Sequence, residues 1–293
     1  MRPAAIVAAL LAVAACASDV AGQPRYRAAG QEIVPAYEGW ERNADGSFSL
    51  VFGTMNRNWE EELHIPIGPD NHIEPEGPDR GQPTYFLPRR NRFLFRVQVP
   101  SDFGDNEVVW TVTSPNGKTY RAYGTLNPDY FIDNYVVQRN NGLTTADNLP
   151  TNQAPVLDVE SAATRTVQVA EPVTLTAFAN DDGLPEARPM RPYDPARPGS
   201  IVPSTATGLR LSWFVYRGPG DVVAFDPPQI KVWEDTRPNS NSPWGPGWET
   251  PPPPPDGKWV VSTTFSEPGT YVLRCVAHDG GLTSQEDITF VVE

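Results

Sequence analysis

The sequence predicts an all-β protein of two β-sandwich-like domains, and three observations carry that prediction. Period-2 alternation of apolar and polar residues recurs along the chain, and no stretch beyond the first residues holds apolar side chains at i, i+3, i+4 and i+7 for three turns. The 33 prolines and 23 glycines fall short of the roughly 25–30% that marks wholesale disorder, so most of the chain folds. A length of 293 residues allows one large domain or two ordinary ones, and either buries a sizeable core. Asp and Glu number 36 against 23 Lys and Arg, a net charge of −13 that repels phosphate backbones and argues against a nucleic-acid partner. Three histidines and two cysteines leave few imidazole or thiolate metal ligands and at most one disulfide.

Taken in chain order, Arg2 precedes an apolar run from Ala4 to Ala15, too short for the ~20 residues a membrane-spanning helix needs. Residues 1–15 therefore read as a signal peptide. The run ends in Val13-Ala14-Ala15-Cys16, which resembles the bacterial lipobox. That resemblance implies a diacylglycerol on the Cys16 thiol, cleavage before Cys16, and a membrane partner reached through the N-terminal lipid. Ordinary secretory cleavage at one of the neighbouring Ala-x-Ala patterns is the alternative. Ala17 stands where an inner-membrane retention aspartate would be, which favours the outer membrane. Residues 16–35, small, polar and unpatterned, read as a flexible tether.

The N-terminal domain is expected over residues 36–139. Phe48, Leu50 and Phe52 share one strand face, as do Phe93, Phe95, Val97 and Val99, with Arg92, Arg96 and Gln98 opposite. Val108, Trp110 and Val112 lead into the turn Pro115-Asn116-Gly117 and a hairpin partner from Lys118 to Gly124. A last strand is expected over Phe131 to Gln138. Residues 140–151, without pattern or apolar mass, read as the linker.

The second domain, 152–293, opens on Asn152-Gln153-Ala154-Pro155. It continues through "VTLTAFANDDG", "LRLSWFVY", "EPGTYVLRCVAHDGG" and "EDITFVV". These segments resemble bacterial immunoglobulin-like, polycystic-kidney-disease-type and cadherin-like modules, which implies an immunoglobulin-like sandwich and says little about function. The alternation agrees: Val173, Leu175 and Ala177 point inward, as do Leu209, Leu211, Trp213 and Val215, and Tyr271, Leu273, Cys275 and Ala277. Two long Pro-rich insertions depart from the family, six prolines in residues 184–207 and ten in 227–257.

Several side chains are candidates for chemistry. Cys275 faces Ala177 and is left without a disulfide partner in the mature chain; alternation sends His278 to the opposite face, so the two do not form a ligand pair. His64 and His72, set among Glu60, Glu61, Glu62, Asp70 and Glu74, offer a mixed metal site or an acidic solvated loop. Asp181, Asp182 and Asp279 stand at two strand ends, where the resemblance to related modules implies calcium and turn chemistry gives the other explanation. Trp233, Trp244 and Trp248 in the second insertion form either a ligand-binding or partner-binding platform or an internal staple. Arg89, Arg90 and Arg92 suit an anionic glycan or a lipid headgroup, or simply a solvated strand entrance. No Gly-x-Ser-x-Gly elbow, His-Glu-x-x-His or phosphate-cradling loop occurs.

The reading is a lipid-anchored, non-catalytic cell-envelope protein acting in binding, adhesion or assembly of a surface complex, with a protein or glycan partner. A glycan-active enzyme or accessory glycan-binding subunit, and a structural spacer, are the alternatives. The anchor is tested by Cys16→Ser, which removes the thiol that would carry the lipid. The variant is expected in the soluble fraction, where the parent is extracted only by detergent; unchanged membrane association refutes the anchor.

Overall fold

Alternating apolar residues can bury one face of a strand only if a second sheet covers it, and the chain solves this twice. The computed structural model describes residues 27–144, 149–187, 207–229 and 253–293. The first unit contains β1 (Ile33–Arg42), β2 (Phe48–Asn56), β3 (Leu63–His64), β4 (Asn71–Glu74), β5 (Tyr85–Phe86), β6 (Arg89–Val99), β7 (Val108–Thr113) and β8 (Thr119–Gly124). Sheet β1-β2-β6 faces sheet β4-β7-β8, and β3 pairs with β5. Between the two main sheets Trp110, fully buried, meets the Phe95 ring edge-on at 4.9 Å, and its indole N–H donates to Asn71 Oδ1 at 3.0 Å. Asn71 in turn donates to the carbonyls of Ile65 and Pro83, so the buried amide leaves no polar debt around the tryptophan.

The second unit contains β9 (Val156–Val159), β10 (Thr164–Val167), β11 (Val173–Asn180), β12 (Arg210–Arg217), β13 (Val223–Asp226), β14 (Lys258–Phe265), β15 (Gly269–His278) and β16 (Thr283–Val292). Sheet β10-β16-β15-β12 packs on sheet β13-β14-β11-β9. Every strand pair here is antiparallel except β10 with β16. Trp213, Leu273, Cys275, Leu175 and Ala177 fill the core as alternation predicts.

Three stretches differ from the expectation. Residues 27–32 are already part of the fold: Trp59 N–H donates to Arg27 O at 3.0 Å, Gln31 N–H to Asn58 Oδ1 at 2.6 Å, and β1 begins at Ile33 inside the expected tether. The expected strand Phe131 to Gln138 is a 3-10 turn, Pro128–Tyr130, followed by helix α1 (Asn134–Asn140). Asp133 caps α1 by accepting the Val136 N–H, and this local bond outweighs the β-branched pair Val136-Val137. The stretch expected to be a linker buries Leu143 and Leu149 completely, so it belongs to the fold rather than joining two separate folds.

Each sandwich lends the other an aromatic ring. Tyr85 of the first unit belongs to the core of the second, and Tyr216 of the second to the core of the first. Backbone and side chain sew the seam: Thr84 N–H donates to Tyr216 O at 3.1 Å, Gly218 N–H to Thr84 Oγ1 at 2.9 Å, and Arg217 pairs with Asp79 at 2.7 Å. Gly220 is required where it stands, because a Cβ there would overlap the Tyr85 ring. At the centre the Arg274 guanidinium lies 3.5 Å over the Tyr216 ring, forks onto Asp287 at 2.7 and 2.8 Å, and donates to Leu94 O at 2.5 Å.

Arg274→Ala should therefore destabilise both units together. Breaking a buried ion pair costs 3–5 kcal/mol, and Asp287, 38% exposed, rehydrates, so a loss of about 3 kcal/mol is expected in chemical denaturation. Arg274→Lys should recover less than half of it, since an ammonium cannot reproduce the fork. Wild-type stability in the alanine variant would refute this account of the seam.

Candidate functional site

The seam encloses a cleft of about 170 Å³ between β5–β6 and the outer face of β12, β15 and β16. Its geometry begins with a bulge: β2 pairs with β6 up to Phe52↔Phe95 and resumes at Thr54↔Asn91, so residues 92–94 swing out of the sheet. Phe93 then packs with Val51, Ile132, Val137 and Leu282, and Leu94 reaches the opposite wall. That wall carries Phe214, Tyr216 and Val276, residues on the face of β12 and β15 that points away from their own core. Polar groups are set around them: Arg90, Arg92, Arg274 and His278 line the cleft. Arg90 pairs with Glu38 at 2.6 Å. His278 accepts the Gly280 N–H on Nδ1 at 2.7 Å, which puts its ring proton on Nε2; burial and the charge of Arg210 push the imidazole down to about 3, so it is neutral at physiological pH.

A second feature lies on the surface of the first unit. Among the described residues, four aromatic side chains are more than two fifths exposed, Tyr123, Tyr130, Phe131 and Tyr135, and all fall between residues 123 and 135. They are exposed but not loose. Phe131 meets the buried Trp40 at 5.0 Å, Tyr130 meets Tyr37 edge-on at 5.6 Å, and the loop beneath is held by Trp40 Nε1 to Asn127 O and Tyr37 Oη to Thr125 O. Asp129 and Asp133 flank the rings. The result is a ledge in which Tyr130 and Phe131 are anchored rings, with the exposed Tyr123 and Tyr135 nearby in sequence.

The aspartates expected at a calcium site are held by hydrogen-bond donors of the turns they stand in. Asp279 is fully buried; its carboxylate accepts the backbone N–H of Gly281 and of Leu282, and Asn152 Nδ2 at 3.1 Å. Asn152 also donates to Gln138 Oε1 at 2.9 Å, and Gln138 to Leu149 O at 2.9 Å, so one network ties α1 and the chain after it to the β15–β16 turn. Asp181 accepts its own turn's Gly183 N–H, while Asp182 accepts Gln153 and Leu184 N–H. Three N–H donors hold the Asp279 carboxylate and fix the turn, while Asp181 Oδ1 is buried without a hydrogen-bond partner. Among the described residues no group of three or more His, Cys, Asp or Glu side chains is placed to hold a metal ion. His64 is exposed and His72 bonds Pro69 O. Arg89 stacks on Trp59 at 4.3 Å, and Cys275 sits free in the core with its thiol pushed up by burial. Cys16, Trp233, Trp244 and Trp248 lie outside the described residues.

Sequence reasoning named Arg90 and Arg92, which line the cleft, but missed its apolar wall and the ledge, because it took one face of each strand as core and the other as solvent. The available signal was Phe214, Tyr216 and Val276 on the supposedly wet face. No helix of the described residues is long and apolar enough to cross a membrane, which says nothing of strands.

No family model matches the chain, and no curated protein matches it. Among solved structures, the fibronectin(III)-like modules of Clostridium thermocellum CbhA align at 8% identity over 89% of this chain and 94% of theirs, with a TM-score of 0.24. The D00-D0 domain of Intimin aligns at 13% identity over 89% and 100%, TM-score 0.24. The Yersinia pseudotuberculosis adhesin InvE aligns at 12% identity over 92% of this chain and 61% of its own, TM-score 0.23. Such low scores carry no argument; the immunoglobulin-like architecture stands on the strands, sheets and cores described above.

Burial lifts the Asp279 carboxyl from 3.8 to about 6, against three hydrogen bonds that favour the anion and with the charge of Asp181 adding to the rise. A raised folded pKa means that the stabilisation is present below pH 3.8 and lost as pH climbs to about 6. The melting temperature of the wild type should therefore fall relative to that of Asp279→Asn between pH 4 and 6. A constant difference between the two across that window refutes the titration.

Proposed function

We propose that this chain is a non-catalytic envelope protein, held by lipid on Cys16, that binds a partner through the ledge of Tyr123, Tyr130, Phe131 and Tyr135. The carrying observation is the ledge: four large rings left about half in water, of which Phe131 and Tyr130 are anchored from below by Trp40 and Tyr37. Rings already fixed before contact lose little conformational freedom on binding, which is what an interaction surface needs. The outer face of a ring accepts the C–H face of a sugar or an apolar side chain, and Asp129 and Asp133 beside it accept hydroxyl or amide donors.

The fusion of the two sandwiches supports the same reading, because a contact made at one end is held in fixed orientation to the other. A glycan-binding accessory role uses the same rings and is distinguished by competition with soluble glycan. Tyr130→Ala combined with Tyr135→Ala should lower binding to immobilised envelope fractions at least tenfold, with the melting temperature kept within a few degrees because both side chains are already half exposed. Undiminished binding by the double variant overturns the assignment.

A further inference from the structure

The cleft along the seam is set apart from the ledge, none of whose residues lines it. The guanidiniums in its lining are already engaged: Arg90 pairs with Glu38 and Arg274 with Asp287, and Arg92 stands in the field of the same Glu38. A charged guest would have to displace one of these partners, so the cleft suits an uncharged one. Most of its wall is apolar, with Phe214, Tyr216 and Val276 on one side and Leu87 and Leu94 on the other. Thr54 adds a polar group that is not engaged. It lines the cleft, it is fully buried, and its Oγ1 has no hydrogen-bond partner. A hydroxyl taken out of water without a replacement bond is destabilising, and a guest that supplies the bond recovers the loss.

The opening itself is held under strain. Phe93, inside the bulge, and Arg89, at the start of β6, both take positive φ, 51° and 62°, a region that long side chains rarely adopt and that gathers at binding sites. Volume sets the size of an occupant: an apolar cavity of ~150 Å³ takes up benzene, so the 170 Å³ here accepts one ring and a small substituent. We propose that the cleft is a binding site for a small neutral phenol, with its ring against Phe214 and its hydroxyl on Thr54 Oγ1. A phenolic hydroxyl both donates and accepts, so it pairs with Thr54 whichever way the threonine hydroxyl turns.

Phenol, toluene and benzoate are the probes, titrated calorimetrically at neutral pH, where phenol is uncharged, into the purified protein and its Thr54→Val and Ser212→Phe variants. Phenol is expected to bind at one site and raise the melting temperature, with an affinity indifferent to salt. Benzoate, whose anion finds the guanidiniums already partnered, is expected to bind roughly tenfold more weakly. Thr54→Val keeps the shape and removes the hydroxyl, so phenol should lose about fivefold, the scale of one neutral hydrogen bond, while toluene, with a methyl in place of the hydroxyl, loses nothing. The melting temperature of the free Thr54→Val variant is expected not to fall, because no bond is broken; a drop of several degrees overturns the proposal by placing a partner on Oγ1. Ser212→Phe puts a ring into the cleft and should abolish binding of both neutral probes, with circular dichroism and the melting curve showing whether the variant is folded. Benzoate bound as tightly as phenol overturns the neutral guest, and a phenol affinity indifferent to Thr54→Val overturns the placement. Phenol still bound by a folded Ser212→Phe variant, or not bound by the wild type at millimolar concentration, overturns the site.

Discussion

A guanidinium enclosed between two sandwiches dictates how the rest of the molecule is arranged. Taking Arg274 out of water costs several kcal/mol, and the expense is met only because every face of the group is used: Tyr216 below, Asp287 at its fork, Leu94 O from the other unit. Those partners come from β12 and β16 of its own unit and β6 of the other, so full satisfaction of the guanidinium needs the two units docked. The exchange of Tyr85 and Tyr216 between the cores has the same effect through apolar area. Ordering the second sandwich without the first would leave Arg274 on Asp287 but without Leu94 O, and both exchanged rings in water, which couples the two units.

This coupling explains which parts of the structure could be read from the chain. Val173, Leu175 and Ala177, or Tyr271, Leu273 and Cys275, face one core on a period of 2, and a local pattern is enough to find them. Arg274, Val276 and His278 occupy the alternate positions of the same strand and look like a solvent face. Arg274 is capped by Leu94 O, 180 positions earlier in the chain, and no local pattern carries that information. Leu143 and Leu149 were passed over for a related reason: isolated apolar residues among polar ones have no period, yet both are buried. Helix α1 was mistaken for a strand because Tyr135, Val136 and Val137 favour β structure, while a single capping bond at Asp133 decided otherwise.

The candidate sites follow the same division. Asp181, Asp182 and Asp279 were legible as a cluster, because loop carboxylates before glycine are conspicuous, but their role depended on which N–H groups surround them. Asp279 anchors a backbone turn and Asn152. The ledge had no sequence signature, since Tyr130, Phe131 and Tyr135 would serve equally well as core residues. What distinguishes them is that Trp40 and Tyr37 take the buried places first.

The parallel pairing of β10 beside β16 has a mechanical meaning. Thr164 through Val167 run alongside Thr289 through Val292 in the same direction, so the N-terminal side of one strand and the C-terminal end of the other leave the ladder at opposite ends. Tension drawn between Glu293 and the first sandwich loads all four residue pairs in shear at once. An antiparallel terminal pair would open one rung after another, like a zipper. A chain tethered at its start and gripped at its end would hold its length under that load until the whole ladder slides.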